Sequence, residues 1–224
     1  MINITKTQPA PPCLEIEKKK KSGNYRCGTV LPRLKADFHN KCYICENAGI
    51  TNINVEHFRP HQDDIDLKFD WNNLFYACGH CNNTKSNKYQ NLLDCTNLSQ
   101  QITDLIQFDI KPFPYEMPKI SAIQKGSIAV DETVSLLQAV YNGTTQLKQI
   151  ESANLRQKLI VEIAAFGELL RQYYFKFGLS DKEKERISSE IRRKLHPAAA
   201  FTAFKVWIIK NNKQFKTDFP IQKY

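Results

Sequence analysis

The stretch CYICENAGITNINVEHFRP, residues 42–60, decides how this chain is read. Cys42 and Cys45 stand three apart, and further along Glu56 and His57 set a carboxylate directly beside an imidazole. Either the cysteines form a knuckle that only holds a fold, or they open a metal-dependent site. The continuation decides. A second pair, Cys78 and Cys81 in CGHC, lies beyond an insert of 32 residues. Each Cys-x2-Cys loop aims two sulfurs at one point, and tetrahedral Zn2+ takes four thiolates. Cys42, Cys45, Cys78 and Cys81 are therefore the expected structural zinc ligands, with His80 inside the second pair as the alternative to one of them. The insert exceeds that of a minimal zinc ribbon, and Glu56-His57 falls within it. Structural zinc contributes on the order of 10 kcal/mol of apparent folding free energy in small modules, so removing it is expected to unfold residues 38–95. Cys13, Cys27 and Cys95 have no partner at ligand spacing and read as ordinary thiols. Seven cysteines, an odd number, also argue against a closed disulfide framework.

With 224 residues the chain holds one larger domain or two small ones. A composition 42% hydrophobic and 25% charged is that of a globular protein. The net charge of +9 favours an acidic polymer as partner, nucleic acid first, over a merely solvated basic surface. MINITKTQPAPP, residues 1–12, lacks the apolar core of a secretory signal. No uncharged apolar run reaches membrane-spanning length. The expectation is a cytoplasmic protein without membrane association, its thiols kept reduced.

Four stretches differ in pattern. Residues 1–37 read as a basic leader: flexible at first, with Pro9, Pro11 and Pro12, then carrying Lys18–Lys21, Arg26, Arg33 and Lys35, either as a solvated surface or as a phosphate-contacting patch. Residues 38–95 form a compact metal-stapled module. Residues 96–130 connect, with short strands expected in DLIQFDI and in KISAI and SIAV around a Lys125-Gly126 turn. From 131 to 224 the chain reads as helical, with apolar residues at three- and four-residue steps in TVSLLQAVYN and LRQKLIVEIAAFGELLRQYYFKFG. Gly178 is expected to end the second of these helices. Ser180 and Glu183 form a capping box for a third. His196-Pro197 marks a break before a last helix, AAAFTAFKVWIIKN. Tyr173, Tyr174, Phe175 and Trp207 belong to core or interface.

Glu56-His57-x-x-Pro60, then Asn73-Leu74, then Cys78-x-x-Cys81-Asn82-x-x-Lys85 resembles the HNH endonuclease motif in its zinc-stapled, ββα-metal form. The fold class it implies is α+β, a small zinc-stapled ββα-metal module followed by a helical bundle. A helix opening after Cys81, with Asn82 in its first turn, would place Asn82 and Lys85 on one face. Carboxylate and amide oxygens suit Mg2+ or Mn2+ rather than zinc. The resemblance implies His57 as general base, Glu56 and Asn82 as ligands of a catalytic Mg2+ or Mn2+, and Asn73 as the residue that orients the His57 ring. Asn73 could equally cap a turn. Arg59 either meets phosphate or pairs with Asp63 or Asp64. Lys85 either meets phosphate or is a surface charge, and His61 contacts phosphate or adds a ligand. The implied function is a metal-dependent endonuclease acting on DNA phosphodiester bonds. The wording VEHFRP and DWNNLFYACGHCN is similar to the HNH subunit of Septu-type and related retron-associated antiphage systems, which implies an ATPase partner. The alternatives are an RNA-directed HNH nuclease and a catalytically inactive zinc-stapled module that binds nucleic acid or protein.

Overall fold

The computed structural model describes residues 1–221, so the end of the region expected over 131–224 lies outside the described residues. Two short helices come first, α1 (Cys13–Lys18) and α2 (Val30–Asp37). Strand β1 (Ile53–His57) is followed by the one-turn helix α3 (Ile65–Phe69) and a 3-10 turn at Trp71–Asn73. Strand β2 (Leu74–Cys78) then runs directly into helix α4 (Gly79–Lys85). A short helix α5 (Ile102–Leu105) leads to β3 (Ile106–Asp109), which pairs antiparallel with β4 (Lys119–Ala122). The rest is helical: α6 (Ile128–Asn142), α7 (Gln146–Phe175), α8 (Asp181–Leu195), α9 (Thr202–Lys210) and α10 (Lys213–Asp218). The class is α+β, two small sheets followed by helices.

β1 and β2 pair antiparallel from Ile53↔Cys78 to His57↔Leu74. Leu74 to Ala77 are all buried, so β2 is covered on both faces, as a nearly continuous apolar run requires. Phe75 on β2 meets the rings of Tyr43 at 4.9 Å and Phe58 at 4.9 Å. β1 carries apolar side chains at Ile53 and Val55, alternating with Asn54 and Glu56, and of the two apolar ones only Val55 is buried. Successive side chains along a strand point to opposite faces, so Glu56 turns inward while His57 turns toward the open side.

Helix α7 buries Ser152, Leu155, Leu159, Ile163, Phe166 and Leu170, a stripe at the three- and four-residue spacing of one helix face. Thr145 caps its first turn by accepting from the Lys148 N–H. The helix ends at Phe175, and Gly178 follows at φ 73°, inside the turn that leads to α8. α8 opens with the expected reciprocal capping box of Ser180 and Glu183.

The helices share one core with the sheet. A single apolar cluster includes Met1, Leu34, Tyr43, Phe75, Cys81, Phe108, Leu136, Leu159 and Phe204. A second joins Phe166, Ile187, Ile191, Ile209 and Phe219. Polar bonds fasten the same junction: the Tyr141 hydroxyl donates to the Cys45 carbonyl at 2.7 Å, and the Ala203 N–H donates to the buried Glu46 carboxylate at 3.3 Å. No helix among the described residues is long and apolar enough to cross a membrane.

Four local expectations are corrected. SIAV is not a strand: Ser127 takes the N-cap position and Ile128 begins α6, so β4 finds its partner in β3 instead. The helix expected over AAAFTAFKVWIIKN begins only at Thr202, because Phe201 adopts the left-handed region at φ 51°, and α10 follows beyond that stretch. The first residues are not a flexible leader. Met1, Ile2, Asn3 and Ile4 are buried, and the Asn3 amide bonds the carbonyls of Asn97 and Gln100 and the N–H of Ile102. Finally, Cys13 and Cys27 are not separate thiols but a disulfide, which closes the segment between α1 and α2. Their separation in sequence carries no ligand pattern, and only the fold of that segment brings them together.

Phe204 is 1% exposed and packs against Phe108 and Tyr141 at 5.3 and 5.4 Å, the point where α9 meets both β3 and α6. Phe204→Ala is expected to cost about 3–5 kcal/mol, read as a lowered urea midpoint. An unchanged midpoint would mean that this junction does not hold the fold.

Candidate active site and metal centre

The four cysteines are brought together by the turn that follows α2 and by the β2–α4 junction. Cys42 and Cys45 sit on a tight knuckle in which the Glu46 N–H donates to the Cys42 carbonyl at 2.9 Å, with Glu46 at φ 58°. Cys78 ends β2 and Cys81 lies in the first turn of α4. Gly79 between them lies close under the exposed Asn52 side chain, which would have to turn away from a Cβ placed there at 2.5 Å. The four Sγ atoms lie within 4.8 Å of one another, and Cys45 and Cys78 sulfurs are 3.9 Å apart. A tetrahedron with Zn–S bonds of about 2.3 Å has sulfurs about 3.8 Å apart. The donor set and its spacing therefore fit one zinc ion. His80 is not a ligand. Its ring turns to the helical part, bonding the Val140 carbonyl and the Glu151 carboxylate, each at 2.8 Å.

The ββα arrangement places Glu56, His57 and Asn82 along one open cavity of about 560 Å³, whose wall includes Pro60, His61, Asn83 and Ser86. α4 starts at Gly79 rather than after Cys81, which sets Asn82 one turn further along than the sequence reading has it.

His57 Nε2 lies 3.0 Å from the Lys68 carbonyl. A carbonyl only accepts, so Nε2 carries the proton, and in the neutral ring Nδ1 is left with its lone pair. Nδ1 makes no hydrogen bond among the described residues. Burial lowers the His57 pKa below its ordinary value of 6.5, with nearby His61, Lys85 and Lys68 charges acting the same way against the Lys68 carbonyl. The ring is thus neutral, and basic at Nδ1, at neutral pH.

Asn73 does not touch His57. It is buried at 3% exposure and pins the intervening loop. Its Oδ1 accepts from the Arg59 N–H at 2.7 Å, and its Nδ2 donates to the carbonyls of Arg59 at 2.9 Å and Leu67 at 3.0 Å. Leu67 directly precedes the carbonyl that holds His57. Asn73 therefore acts on the imidazole through the backbone of residues 67 and 68.

Glu56 and Lys85 depart from expectation. Lys85 does not face phosphate: it is 1% exposed, its ammonium 2.6 Å from Glu56 Oε1 and 3.1 Å from the His57 carbonyl. Glu56 Oε2 accepts from the Tyr43 hydroxyl at 2.8 Å. One turn of α4 separates Asn82 from Lys85, but β1 lies across the inner side of that helix, so Lys85 is covered while Asn82 reaches the cavity. Burial raises the Glu56 pKa, against the pull of Lys85. Each Glu56 oxygen spends one lone pair on these donors and keeps a second. The Asn82 amide makes no hydrogen bond among the described residues. An oxygen pair from Glu56 and Asn82 beside a polar cavity fits a hard divalent cation, held more weakly than by a carboxylate without an ammonium beside it.

The Arg59 side chain is exposed and forms no ion pair with Asp63 or Asp64 among the described residues. Asp64 instead caps α3 by accepting from the N–H groups of Asp66 and Leu67. His61 borders the cavity with its ring 4.6 Å from that of His57, and its Nδ1 accepts from the Asp63 N–H. Tyr25 also touches His57, with ring centroids 4.5 Å apart. Nothing in its spacing from the motif announces this neighbour.

Removing Lys85 would strand a buried carboxylate. Lys85→Ala is expected to destabilise the protein by about 3 kcal/mol, measured by denaturant unfolding of the zinc-loaded protein. A stability within a few tenths of a kcal/mol of wild type would mean that the Glu56–Lys85 pair does not brace β1 on α4.

Residues 42–88 match the family model described as HNH endonuclease. No curated protein and no solved structure matches this chain. The matched span contains both cysteine pairs, His57, Asn73 and Asn82, so residues 42–88 are similar to the HNH endonuclease family and carry a four-cysteine cluster suited to zinc.

Proposed function

We propose that this protein is a metal-dependent endonuclease that hydrolyses DNA phosphodiester bonds, with His57 as general base. The observation that carries this reading is the state of the His57 ring: Nε2 is tied to the Lys68 carbonyl, and the ring lines the same cavity as the unbonded Asn82 amide. A module that only binds has no need of a neutral imidazole with a free basic nitrogen there.

In this reading Nδ1 of His57 takes a proton from a water, and the resulting hydroxide attacks the phosphorus in line with the leaving 3′ oxygen. Glu56 and Asn82 would hold a Mg2+ or Mn2+ ion, which when bound supplies Lewis-acid stabilisation of the phosphate and of the leaving oxygen. Asn73 keeps the 59–68 loop, and through it the Lys68 carbonyl, in register with His57. Arg59 is free to meet a phosphate flanking the scissile one, and His61 Nε2 is available for the same role. The net charge of +9 suits a polyanionic substrate. A role in antiphage defence beside an ATPase partner is part of the proposal and rests on the likeness of VEHFRP and DWNNLFYACGHCN alone.

Zinc-loaded protein is expected to nick or cut plasmid DNA when Mg2+ or Mn2+ is added. His57→Ala is expected to lose about 10²- to 10⁴-fold in rate with zinc content and melting temperature kept. A variant that cuts at the wild-type rate removes His57 from the chemistry. Cleavage of tRNA but not plasmid would move the substrate to RNA, and cleavage of neither would leave a binding module.

The base must be unprotonated to act, so the rate should rise with pH through the His57 pKa and then level. Because burial lowers that pKa, half the plateau rate is expected below pH 6.5. An acid limb centred above 6.5 would contradict a desolvated, neutral His57.

A further inference from the structure

The segment between α1 and α2 does not extend into solvent but folds back to the active site. Lys18, at the end of α1, pairs with Asp66 on α3 at 2.6 Å. Gly23 marks the closest crossing: a Cβ there would come 1.9 Å from the Glu17 carbonyl oxygen and 3.0 Å from the Phe69 ring. The Asn24 N–H donates to the Glu17 carboxylate at 3.0 Å, and the Cys13–Cys27 disulfide closes the far end. Tyr25 and Arg26 lie between these two fastenings, and the Tyr25 ring meets the His57 imidazole edge-on, centroids 4.5 Å apart at 63°. Arg26 donates to the Tyr25 hydroxyl at 3.1 Å.

A histidine ring swings broadly about its last side-chain torsion. The bond from Nε2 to the Lys68 carbonyl fixes one atom of the ring and leaves the plane free to librate about it. The edge of Tyr25 and the ring of His61, at 4.5 and 4.6 Å, limit that remaining motion. We propose that Tyr25 is a positioning residue of this site, a tyrosine delivered by the disulfide-closed loop to hold the His57 plane so that Nδ1 points at the attacking water. The aromatic edge does this work, not the hydroxyl. The inference rests on the nuclease reading above.

The test measures kcat and KM for plasmid cleavage by zinc-loaded wild type, Tyr25→Ala, Tyr25→Phe and the Cys13→Ser/Cys27→Ser double variant, with zinc content and melting temperature recorded for each. Loss of one aromatic contact, and the ring misalignment that follows, is expected to lower kcat of Tyr25→Ala by about tenfold or more, with KM unchanged. Tyr25→Phe, which restores the ring, is expected to recover most of that loss. The double variant, in which the loop is untied, is expected to fall in kcat as Tyr25→Ala does. Wild-type kcat in Tyr25→Ala overturns the proposal, as does a loss that Tyr25→Phe shares in full or a change confined to KM. If Tyr25→Ala fails to fold, Tyr25→Leu keeps the bulk without the aromatic edge and is judged by the same criteria. A folded wild type that cuts neither plasmid nor tRNA overturns the nuclease reading itself, and so is distinguished from a failure of Tyr25 alone.

Discussion

Convergence of four sulfurs within 4.8 Å is the constraint on which the remaining geometry depends. It ties a knuckle near the start of the module to the end of β2 and the first turn of α4, and so sets the angle at which α4 crosses the two-stranded sheet. That angle decides whether Asn82 shares a cavity with His57. A five-residue hairpin pair and a seven-residue helix cannot hold such a relation by their own hydrogen bonds. A second brace lies on the inner face, where Glu56 from β1 and Lys85 from α4 form an ion pair closed by Tyr43. Removing one partner of such a buried pair costs far more than the pair contributes when complete. It therefore serves geometry more than stability.

The helices beyond the module are part of the same arrangement. His80, between the two cysteines of the second pair, bonds α6 through the Val140 carbonyl and α7 through Glu151. Tyr141 reaches the backbone of Cys45, and Glu46 receives the Ala203 N–H at the start of α9. The metal centre is thus gripped from both of its knuckles by the helical part. A movement of α6 or α9 would be felt at the cysteines before it reached the cavity, which gives the helices a physical route to influence the candidate site.

Much of this was legible in the sequence where chemistry imposes spacing. Two thiols with two residues between them on a tight knuckle can share an ion, so two such pairs make a zinc site legible. His57 and Asn82 are legible because a motif places them at fixed steps from those cysteines. The signal stops where the third dimension decides. Lys85 has the same helix spacing whether it faces water or β1, and only the packed structure distinguishes a phosphate contact from a buried partner of Glu56. SIAV has the composition of a strand, but the chain enters α6 at Ile128, with Ser127 in the N-cap position. Tyr25 and Cys27, the latter bonded to Cys13 at the start of α1, lie on a loop whose return to the candidate site brings Gly23 against Glu17 and Phe69, a relation without any period along the chain.

The most direct test of the central claim, that a thiolate-held scaffold gathers His57 and Asn82 around an oxygen-lined cation site, is a titration of isotope-labelled, zinc-loaded protein with Mn2+, followed by paramagnetic broadening of its NMR signals. The account predicts that the Asn82 side-chain amide and the His57 ring signals broaden first and together, and that excess Mg2+ restores them. Signals from these two residues that stay sharp while others broaden, or broadening of one without the other, would contradict it.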